Sequence, residues 1–322
     1  MDDPLDISGL AHELSDLELA LLICLGGHEH CLIEATEGNI NDVAAELALI
    51  CSHTYGLSYK SLELSETTSL EEFRDQICTR WSKGLVEVII AKNFDYASES
   101  IQLEALDLMR SRKLTTEQGV IEAPAHFLFV PVIARAPGQV RPKLNSHIID
   151  NLFISHFHDT DDGYAYLEED DWNSEQASLS SVVHRSGTPE RRHPSVTHEL
   201  LDSLNTSSKS VKATAELVRY QQDIVVFLRL SRAVAGGISA RSNIHFAKLA
   251  KLLAVIHGID YLTPSIVALA AKKVFRHRIV VARPEEDRSL QYGSDLEAVK
   301  KVLEYATPDT ILESVLMLEA PL

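Results

Sequence analysis

The chain has 322 residues, of which 45% are hydrophobic and 24% charged, enough for one large buried core or two smaller ones. Its formal net charge is −17, from 47 acidic against 30 basic residues. Nucleic acids and anionic membranes are polyanions that bind basic surfaces, so this charge argues against both as partners.

The four cysteines indicate a reducing environment. Cys24, Cys31, Cys51 and Cys78 lie in apolar or helical contexts, and no two of them have CxxC spacing. We interpret them as small buried hydrophobic residues and expect no metal site from them. Because no apolar leader precedes them and no apolar run approaches the length of a membrane span, we expect an intracellular, cytoplasmic protein.

Helix and strand patterns alternate through the first part of the chain. Strands that alternate with helices indicate a parallel sheet covered by helices, and therefore an α/β fold. The apolar periodicity predicts helices at 16–25, 41–53, 69–77 and 99–114, and strands at 30–35, 59–65, 86–91 and 126–134.

Two of these helices carry specific local signals. Ser69 stands where an N-cap residue would, and Glu72 follows three residues later, so the pair predicts a capping box. The helix at 99–114 has a wide apolar stripe, which we expect to face the core. The stripe consists of Ile101, Leu103, Leu106, Leu108 and Met109.

The composition changes after the last of these strands. Between Leu144 and His184 there is no Lys or Arg but there are nine acidic residues, and Ser, Thr, Pro and His dominate from there to about Ser210. We therefore predict a disordered, acidic and Ser-rich insertion at 163–210. A solvated linker is the favoured interpretation, and a regulatory segment with phosphorylatable serines at 178–192 is the alternative.

The C-terminal third returns to helical patterns. One helix is predicted at 213–237, ending at a glycine pair that suits a C-cap, and a second at 242–258. A third has Thr263 as its N-cap, followed directly by a proline, and two short helices come after it. Residues 211–322 are therefore predicted to form a small all-helical domain.

The segment from Gly236 to Ile279, GGISARSNIHFAKLAKLLAVIHGIDYLTPSIVALAAKKVFRHRI, resembles a lid domain. The lids it resembles belong to AAA+ ATPases of the MoxR and magnesium-chelatase ATPase-subunit group. They read G-(A/I)-S-P-R-A, an apolar helix, G-R-x-(Y/F)-V-x-P-x-D-(V/I) and a closing L-x-H-R. Ala240 replaces the usual proline, and Ser265-Ile266 stand near the usual acidic residue. The resemblance implies an AAA+-like α/β core at 1–162, followed after the insertion by a small all-α lid.

The resemblance also places a degenerate phosphate loop in the core. The family's strand, G-P-P-G-x-G-K-(T/S) and helix align with ATEGNIND at 35–42 and its flanks. A working loop wraps phosphates with backbone N–H groups, neutralises them with the lysine and binds Mg²⁺ through the hydroxyl. Only Gly38 is kept. Ala35 and Ile40 replace glycines, Asn41 replaces the lysine and Asp42 replaces the hydroxyl residue.

Acidic residues beside this loop oppose the binding of a polyphosphate. Glu34 and Glu37 flank the only remaining glycine, and two carboxylates near ATP repel it by roughly a few kcal/mol unless a metal intervenes. We therefore expect no tight ATP site. Asp42 could hold a metal, so weak nucleotide binding stays open.

The family's Asp-Glu pair, which holds Mg²⁺ and polarises the attacking water, is also missing. It aligns with Ala91-Lys92 or, in the neighbouring register, with Lys92-Asn93. Asp95 lies further along, in an expected loop beyond the strand end. Lys92 either neutralises a nearby carboxylate or is an ordinary surface lysine, and the second interpretation is favoured.

Two further positions of the family pattern are changed and one is kept. The family's sensor asparagine aligns near Ile133, whose side chain cannot form a hydrogen bond to a phosphate. His147 occupies the arginine-finger position in VRPKLNSHI. Three other residues of that motif are kept: Arg141, Pro142 and Leu144. The sensor-two arginine is kept as Arg241. Alternatively, Arg241 caps a neighbouring helix end or pairs with the acidic core domain.

Two histidine clusters have the alternation of metal ligands. GHEHC contains His28, Glu29 and His30, and SHFHD contains His156, His158 and Asp159. Neither has a third ligand at a fixed spacing, so we do not expect a zinc site. The hydrolase and dehydrogenase motifs are absent from the sequence.

Two functions from different classes follow from these patterns. The missing lysine, acid pair, asparagine and arginine favour a non-catalytic AAA+-like scaffold or regulatory subunit with no cofactor. The family implies protein partners, either an AAA+ paralogue or a protein with an integrin-type metal-binding domain, and is compatible with an oligomer. The alternative rests on the resemblance and Arg241 alone. It is an ATP-dependent motor subunit of a metal-chelatase-like complex, with ATP and Mg²⁺ bound weakly.

Overall fold

The computed structural model describes residues 7–78, 84–116, 119–135, 142–167 and 194–317. Its centre is a five-stranded, all-parallel sheet. The first half of the chain contains seven described strands. They are β1 (His30–Ala35), β2 (Tyr59–Glu63), β3 (Val88–Lys92), β4 (Lys113–Thr116), β5 (Gly119–Glu122), β6 (Leu128–Ala134) and β7 (Leu152–His158). The sheet has the order β2-β3-β6-β1-β7, and β4 and β5 form a separate hairpin.

Helices cover both faces of the sheet, as its apolar strands require. Strands β1, β3 and β6 are almost wholly buried, which is typical of parallel strands that are packed on both sides. The helices of the core are α1 (Ile7–Glu13), α2 (Asp16–Gly27), α3 (Ile40–His53), α4 (Leu70–Ile77), α5 (Glu99–Ser111) and α6 (Ser146–Asn151). Helices α2 and α3 pack on one face, and α4, α5 and α6 on the other.

The register places the carboxyl ends of β1, β3, β6 and β7 at one edge of the sheet. Ala35 at the end of β1 lies opposite Ala134 of β6 and His158 of β7, and Lys92 ends β3 beside Val132. The four predicted strands are confirmed, and β7 and the hairpin were not predicted as sheet elements. This edge is where the sequence placed the degenerate phosphate loop.

The predicted details of two core helices need correction. Helix α5 ends at Ser111 rather than at 114, because Arg112 adopts the left-handed conformation with φ 55° and the hairpin begins after it. Leu103, assigned to the buried stripe, is 46% exposed. The Ser69 side chain accepts from the backbone N–H of Glu72 at 3.1 Å, but the Glu72 carboxylate accepts from Gln76 instead of completing a capping box.

The second half of the molecule is mainly helical. Its helices are α7 (His198–Ser210), α8 (Ala215–Leu230), α9 (Ala240–Ile256), α10 (Pro264–Phe275), α11 (Leu296–Leu303) and α12 (Pro308–Leu316). Thr263 caps α10 as predicted. A short antiparallel ladder, β8 (Val234–Gly236) with β9 (Val280–Val281), adds the only strands in the described part of this half.

Part of the stretch predicted as a disordered insertion at 163–210 is ordered. The buried carboxylate of Glu46 accepts the backbone N–H groups of Ala165 at 2.8 Å, Tyr166 at 3.0 Å and Leu167 at 3.1 Å. Further on, the leucines of α7 form a buried face that the Ser- and Thr-rich composition conceals. The prediction of disorder was wrong for these residues, and residues 168–193 lie outside the described ranges.

The glycine pair at 236–237 does not cap a helix. Helix α8 ends at Leu230, and Gly236 pairs with Val280 in the short ladder. Gly237 has φ 96°, and a Cβ there would lie 1.8 Å from the backbone oxygen of Arg278, so the close approach of the two chains requires glycine. The next helix, α9, begins at Ala240 with Ser239 as its N-cap, two residues earlier than the predicted start at Ser242.

The helical half wraps round one edge of the sheet. Helix α10 packs against the edge strand β7, and α7 contacts both α2 of the core and α9. Buried residues of both halves belong to one hydrophobic cluster, so the two halves share a core. Within the described ranges, no helix is both long and apolar enough to cross a membrane.

Candidate functional site

The predicted phosphate loop has the expected path from strand to helix. Strand β1 ends at Ala35, residues Glu37–Asn39 form one 3-10 turn, and α3 begins at Ile40. Ala35 and Ile40 are buried core residues, and Gly38 has open space where a Cβ would stand. Packing residues therefore stand at the two positions where the resemblance places glycines, and Gly38 is not held by a close contact.

Asn41 and Lys92 meet at this edge. The Lys92 ammonium donates to Asn41 Oδ1 at 2.8 Å and lies 3.3 Å from Glu63 Oε2. The Lys92 side chain is 16% exposed, and Glu63 is its partner in the register of β2 and β3. Lys92 therefore lies at the surface end of its strand and also pairs with the exposed carboxylate of Glu63, so each of the two interpretations describes part of its environment.

The end of β3 offers no acid pair. Ala91 is buried, and Asn93 adopts a left-handed conformation with its N–H donating to Val132 O at 2.8 Å. Asp95 lies in the following 3-10 turn, where burial raises the pKa of its carboxyl group. The left-handed conformation of Asn93 turns the chain away from the strand axis. Asp95 therefore lies in the turn and not in line with β3.

A second group of charges joins the same edge to the helical half. Arg276 follows α10 and lies 3.1 Å from Asp309 and 4.0 Å from Glu34 Oε2. Arg135 follows β6, lies 3.8 Å from Asp309, and stacks its guanidinium 5.2 Å from the ring of Phe157. Every cation of this group has a carboxylate beside it.

Arg135, Arg276 and Asp309 belong to no motif in the sequence. Each stands near the end of a predicted strand or helix, which is the only signal the sequence carries for them. Glu34 was noted for its charge alone, and it is buried in β1.

Glu34 gives a testable pH dependence. Burial raises the pKa of Glu34 above its ordinary value of 4.5, and Arg276 only partly opposes this. The folded protein therefore binds this proton more readily than the unfolded chain, so the carboxylate lowers stability above its folded pKa and the loss vanishes towards pH 4.5. Urea unfolding of Glu34→Gln should show increased stability at pH 7.5, and the gain should shrink as the pH falls.

Exposed Glu37 provides the matched control for that variant. Glu37→Gln should change the free energy of unfolding by less than about 0.5 kcal/mol at either pH, as surface substitutions usually do. A loss of stability in Glu34→Gln at pH 7.5 would show that the ion pair with Arg276 outweighs the burial of the charge.

The segment after β7 lies beside the start of α3. The buried ring of His158 is 5.2 Å from the ring of Tyr164, and its Nδ1 is 3.9 Å from Asp162. Burial raises the pKa of Tyr164, with further contributions from the carboxylates of Asp42 and Glu46. Asp42, predicted from the sequence to replace a hydroxyl residue, is an exposed carboxylate.

Arg241 and His147 lie at the opposite, amino-terminal edge of the sheet. Arg241 donates to Asn151 Oδ1 at 2.5 Å and lies 3.9 Å from Asp150 Oδ2, just before β7 begins. Strands rise about 3.3 Å per residue, so this edge is roughly 16 Å from the phosphate loop. The structure therefore shows the alternative in which Arg241 pairs with the core domain, and its assignment as a sensor-two residue stays a prediction.

His147 is exposed on α6 and takes no part in the charge groups of the other edge. Its backbone N–H donates to Asn145 Oδ1 at 2.9 Å, and its ring lines a cavity of about 510 Å³ together with Asp150 and Arg229. Of the neighbouring predicted residues, Pro142, Leu144 and Ile133 are buried, and Arg141 lies outside the described residues.

Arg278 anchors the helical half on this amino-terminal edge. Its buried guanidinium donates to Val274 O at 2.6 Å, to Phe153 O at 3.4 Å and to His245 Nδ1 at 2.7 Å. It also donates to Leu152 O and Asp150 O. Burial lowers the pKa of Arg278 to about 9. These acceptors come from both halves of the molecule.

The network continues through His245 to a surface ion pair. His245 Nε2 lies 3.5 Å from Glu29 Oε2, and Lys248 Nζ lies 2.5 Å from Glu29 Oε1. Burial, and then the Arg278 charge, lower the pKa of His245 to about 2, so the imidazole is neutral and accepts from Arg278. A basic triplet, 276–278, at the end of an apolar helix was the signal for this anchor.

The histidine clusters noted in the sequence do not form a metal centre here. Among the residues that the structure describes, no group of three or more His, Cys, Asp and Glu is placed to hold a metal ion. His156 and His158 lie on the same strand with ring centroids 6.2 Å apart. Burial lowers the pKa of His156 to about 4, so this ring is neutral.

Comparisons with known proteins identify the class of fold. The family model for the AAA lid domain matches residues 227–299. A crystal structure of a "putative ATPase" from Cytophaga hutchinsonii superposes with a TM-score of 0.65 at 13% identity, over 96% of this chain and 92% of that one. The parallel sheet with its helices and the helical C-terminal region therefore have an AAA+ fold with a lid domain, as predicted.

Curated relatives match a smaller part of the chain. "Maintenance of telomere capping protein 2" of Lachancea thermotolerans is 32% identical over 110 residues, which are 33% of this chain and 39% of that protein. The protein of the same name from Saccharomyces cerevisiae is 29% identical over 140 residues, 41% of this chain and 39% of that protein. The chain thus spans well under half the length of these relatives.

Proposed function

We propose that this chain is a non-catalytic AAA+-like protein of the MoxR and magnesium-chelatase type, which acts as a scaffold or regulatory subunit for other proteins. The observation that carries the proposal is the charge pairing at the carboxyl edge of the sheet. Lys92 is bound to Asn41 and Glu63, and Arg276 and Arg135 are bound to carboxylates. These cations are already neutralised within the chain.

The loop itself offers little to a phosphate. Asn41 replaces the neutralising lysine, and its side-chain oxygen is bound by the ammonium of Lys92. Asp42 and Glu37 are exposed carboxylates on either side of the turn, and they would repel an incoming polyphosphate. A bound nucleotide would need both a metal and a rearrangement of these pairs.

The lid is fixed rather than free to follow a nucleotide. Nucleotide-driven ATPases need domains that move relative to each other, so that contacts between the domains form and break during the cycle. Here the buried guanidinium of Arg278 donates hydrogen bonds to acceptors on α10, on α9 and at the start of β7. Breaking such a buried network is strongly unfavourable, so core and lid should behave as one body.

A rigid body without catalysis is suited to binding proteins. We propose an AAA+ paralogue or a protein with an integrin-type metal-binding domain as partner, in an oligomer or alone, inside the cell. The name of the yeast relatives describes a cellular process and no reaction. A role in an assembly that serves such a process is compatible with this proposal.

Nucleotide binding tests the proposal directly. Equilibrium titration with a fluorescent ATP analogue, with and without Mg²⁺, should give no saturable binding up to about 1 mM, the upper end of ordinary substrate affinities. Saturation in the low micromolar range would overturn the non-catalytic assignment.

Restoring the family's residues supplies the matched experiment. In Asn41→Lys with Asp42→Thr, the new ammonium would stand beside Lys92, so the informative variant adds Lys92→Asp, which also returns an acid to the end of β3. If the loop has kept its shape, this triple variant should bind the analogue in a Mg²⁺-dependent manner. Lys92→Asp alone should not. If neither binds, the backbone of the turn has been lost together with its charges.

The alternative function is an ATP-dependent motor subunit of a metal-chelatase-like complex, with ATP and Mg²⁺ held weakly. The lid-family match and the fold shared with the Cytophaga protein support it. Mg²⁺-dependent ATP hydrolysis by the unmodified chain, abolished by Asp42→Ala but not by Asp107→Ala on the exposed face of α5, would favour this alternative.

A further inference from the structure

Three histidine rings stack in a row at the amino-terminal edge of the sheet. His28 follows α2 and precedes β1, His126 precedes β6, and His198 is the first residue of α7. The rings of His28 and His126 have centroids 5.6 Å apart and lie 24° from parallel. Those of His126 and His198 are 4.8 Å apart and 9° from parallel. This histidine stack joins the start of α7 to two loops of the core.

The charges that face the stack come from four directions. Arg112 donates to Ala125 O at 3.0 Å and to His28 O at 3.4 Å, and so holds a positive charge beside the inner rings. Glu87 Oε1 lies 4.0 Å from His198 Nε2 at the outer end. The remaining charged groups are Asp202 on α7 and Lys248 on α9, the latter paired with Glu29.

The two inner rings have no place for a second proton. Nδ1 of His28 and Nδ1 of His126 are both buried without a hydrogen-bond partner. A protonated imidazole donates from both nitrogens, so each inner ring would then carry a buried and unsatisfied N–H. Burial lowers the pKa of both rings, Arg112 adds to this for His28, and His198 adds to it for His126.

The outer ring behaves differently. His198 is exposed, and its Nε2 lies 4.0 Å from Glu87 Oε1. A proton on His126 would place a positive charge on a ring whose centroid is 4.8 Å from that of His198, and the neighbouring imidazole opposes that charge. The inner rings are therefore the part of the stack that does not accommodate a positive charge.

We propose that the histidine stack is a pH-sensitive clasp, which holds the start of α7 on the core at neutral pH and releases it when His126, the inner ring stacked on His198, takes up a proton. Helix α7 contacts α2 in the core and α9 in the lid, so its release would loosen the connection between them. The proposal concerns the opposite edge of the sheet from the degenerate phosphate loop and does not depend on nucleotide binding.

Hydrogen exchange of the full chain at pH 7.5, 6.5 and 5.5, corrected for intrinsic exchange rates, tests the clasp. Protection of residues 198–210 should fall about tenfold between pH 6.5 and 5.5, the effect of one linked proton over one pH unit. Because release is local, residues 198–210 should exchange with a lower free energy of opening than β1 and β6, which lose protection only as the whole protein is destabilised. Equal free energies of opening in all three segments at pH 5.5 would overturn the proposal in favour of global acid unfolding.

Substitutions separate the stack from the other histidines. His126→Phe keeps an aromatic ring in the stack but cannot be protonated, so α7 should lose less than twofold of its protection over the same pH range. His257→Phe, at an exposed histidine outside the stack, should respond like the unmodified chain. If His126→Phe does not fold, His126→Tyr, whose ring also takes up no proton in this pH range, provides the same comparison. A tenfold loss in a folded stack variant would overturn the proposal.

Discussion

Arg278→Ala should lower the free energy of unfolding by about 3 kcal/mol or more, the largest loss we expect from a single substitution in the lid. The guanidinium is buried and supplies donors to carbonyl groups of Val274, Phe153 and Leu152. Removal leaves buried acceptors without this donor and a cavity between lid and core. Urea unfolding at pH 7.5 measures the loss.

Two further variants define the cause of that loss. Arg278→Lys keeps the positive charge but has one ammonium in place of a planar fork, so it should recover only part of the stability. Arg283→Ala removes an arginine whose side chain is 79% exposed, and it should change stability by less than about 0.5 kcal/mol. If Arg278→Ala resembles Arg283→Ala, the network does not hold lid and core together, and the argument for a fixed lid fails.

The architecture followed from local patterns because each core strand is a short apolar run between helices. The run His30–Ala35 and the apolar face of the next helix predict a tight connection from strand to helix, and the structure has that connection. The caps show the same local control, since Thr263 and the proline after it begin α10. Patterns of this kind depend on neighbours in sequence, which a single sequence contains.

Ion pairs between residues that are distant in sequence could not be predicted from local patterns. Glu63 and Lys92 are the last residues of two parallel strands, so their pairing is readable only once the register of β2 on β3 is known. Arg276 and Arg135 share Asp309, which comes from a helix near the end of the chain. The sequence around Arg241 resembles a known motif, but the motif does not tell at which edge of the sheet the side chain lies.

Composition misled the interpretation of α7. Its sequence, HELLDSLNTSSKS, is rich in Ser and Thr in its second half, and this outweighed the spacing of Leu200, Leu201 and Leu204. Helix α7 forms because these leucines are buried against α2 and α9, which is tertiary packing rather than helix propensity. The same packing gives His198 its fixed place in the histidine stack.

Acidification should destabilise the whole protein well above the pH at which its carboxylates titrate. Burial lowers the pKa of His30 to about 4, of His156 to about 4 and of His245 to about 2, and lowers that of His277 as well. The unfolded chain binds these protons near pH 6.5 and the folded chain does not, so stability is present above pH 6.5 and is lost as the pH falls towards the folded values. Each such histidine adds up to about 1.4 kcal/mol of loss per pH unit.

His30 allows the contribution of one ring to be measured. Its Nδ1 accepts the backbone N–H of Phe129 at 3.0 Å, so the ring must stay neutral at that nitrogen. Asparagine can supply an oxygen at the same place and has no proton to gain, so His30→Asn should reduce the slope of unfolding free energy against pH between 6.5 and 5 by about one proton. The exposed His257→Asn should leave the slope unchanged. Equal slopes for His30→Asn and the unmodified chain would show that His30 is protonated in the folded protein, and the acid lability would then come from the other buried rings.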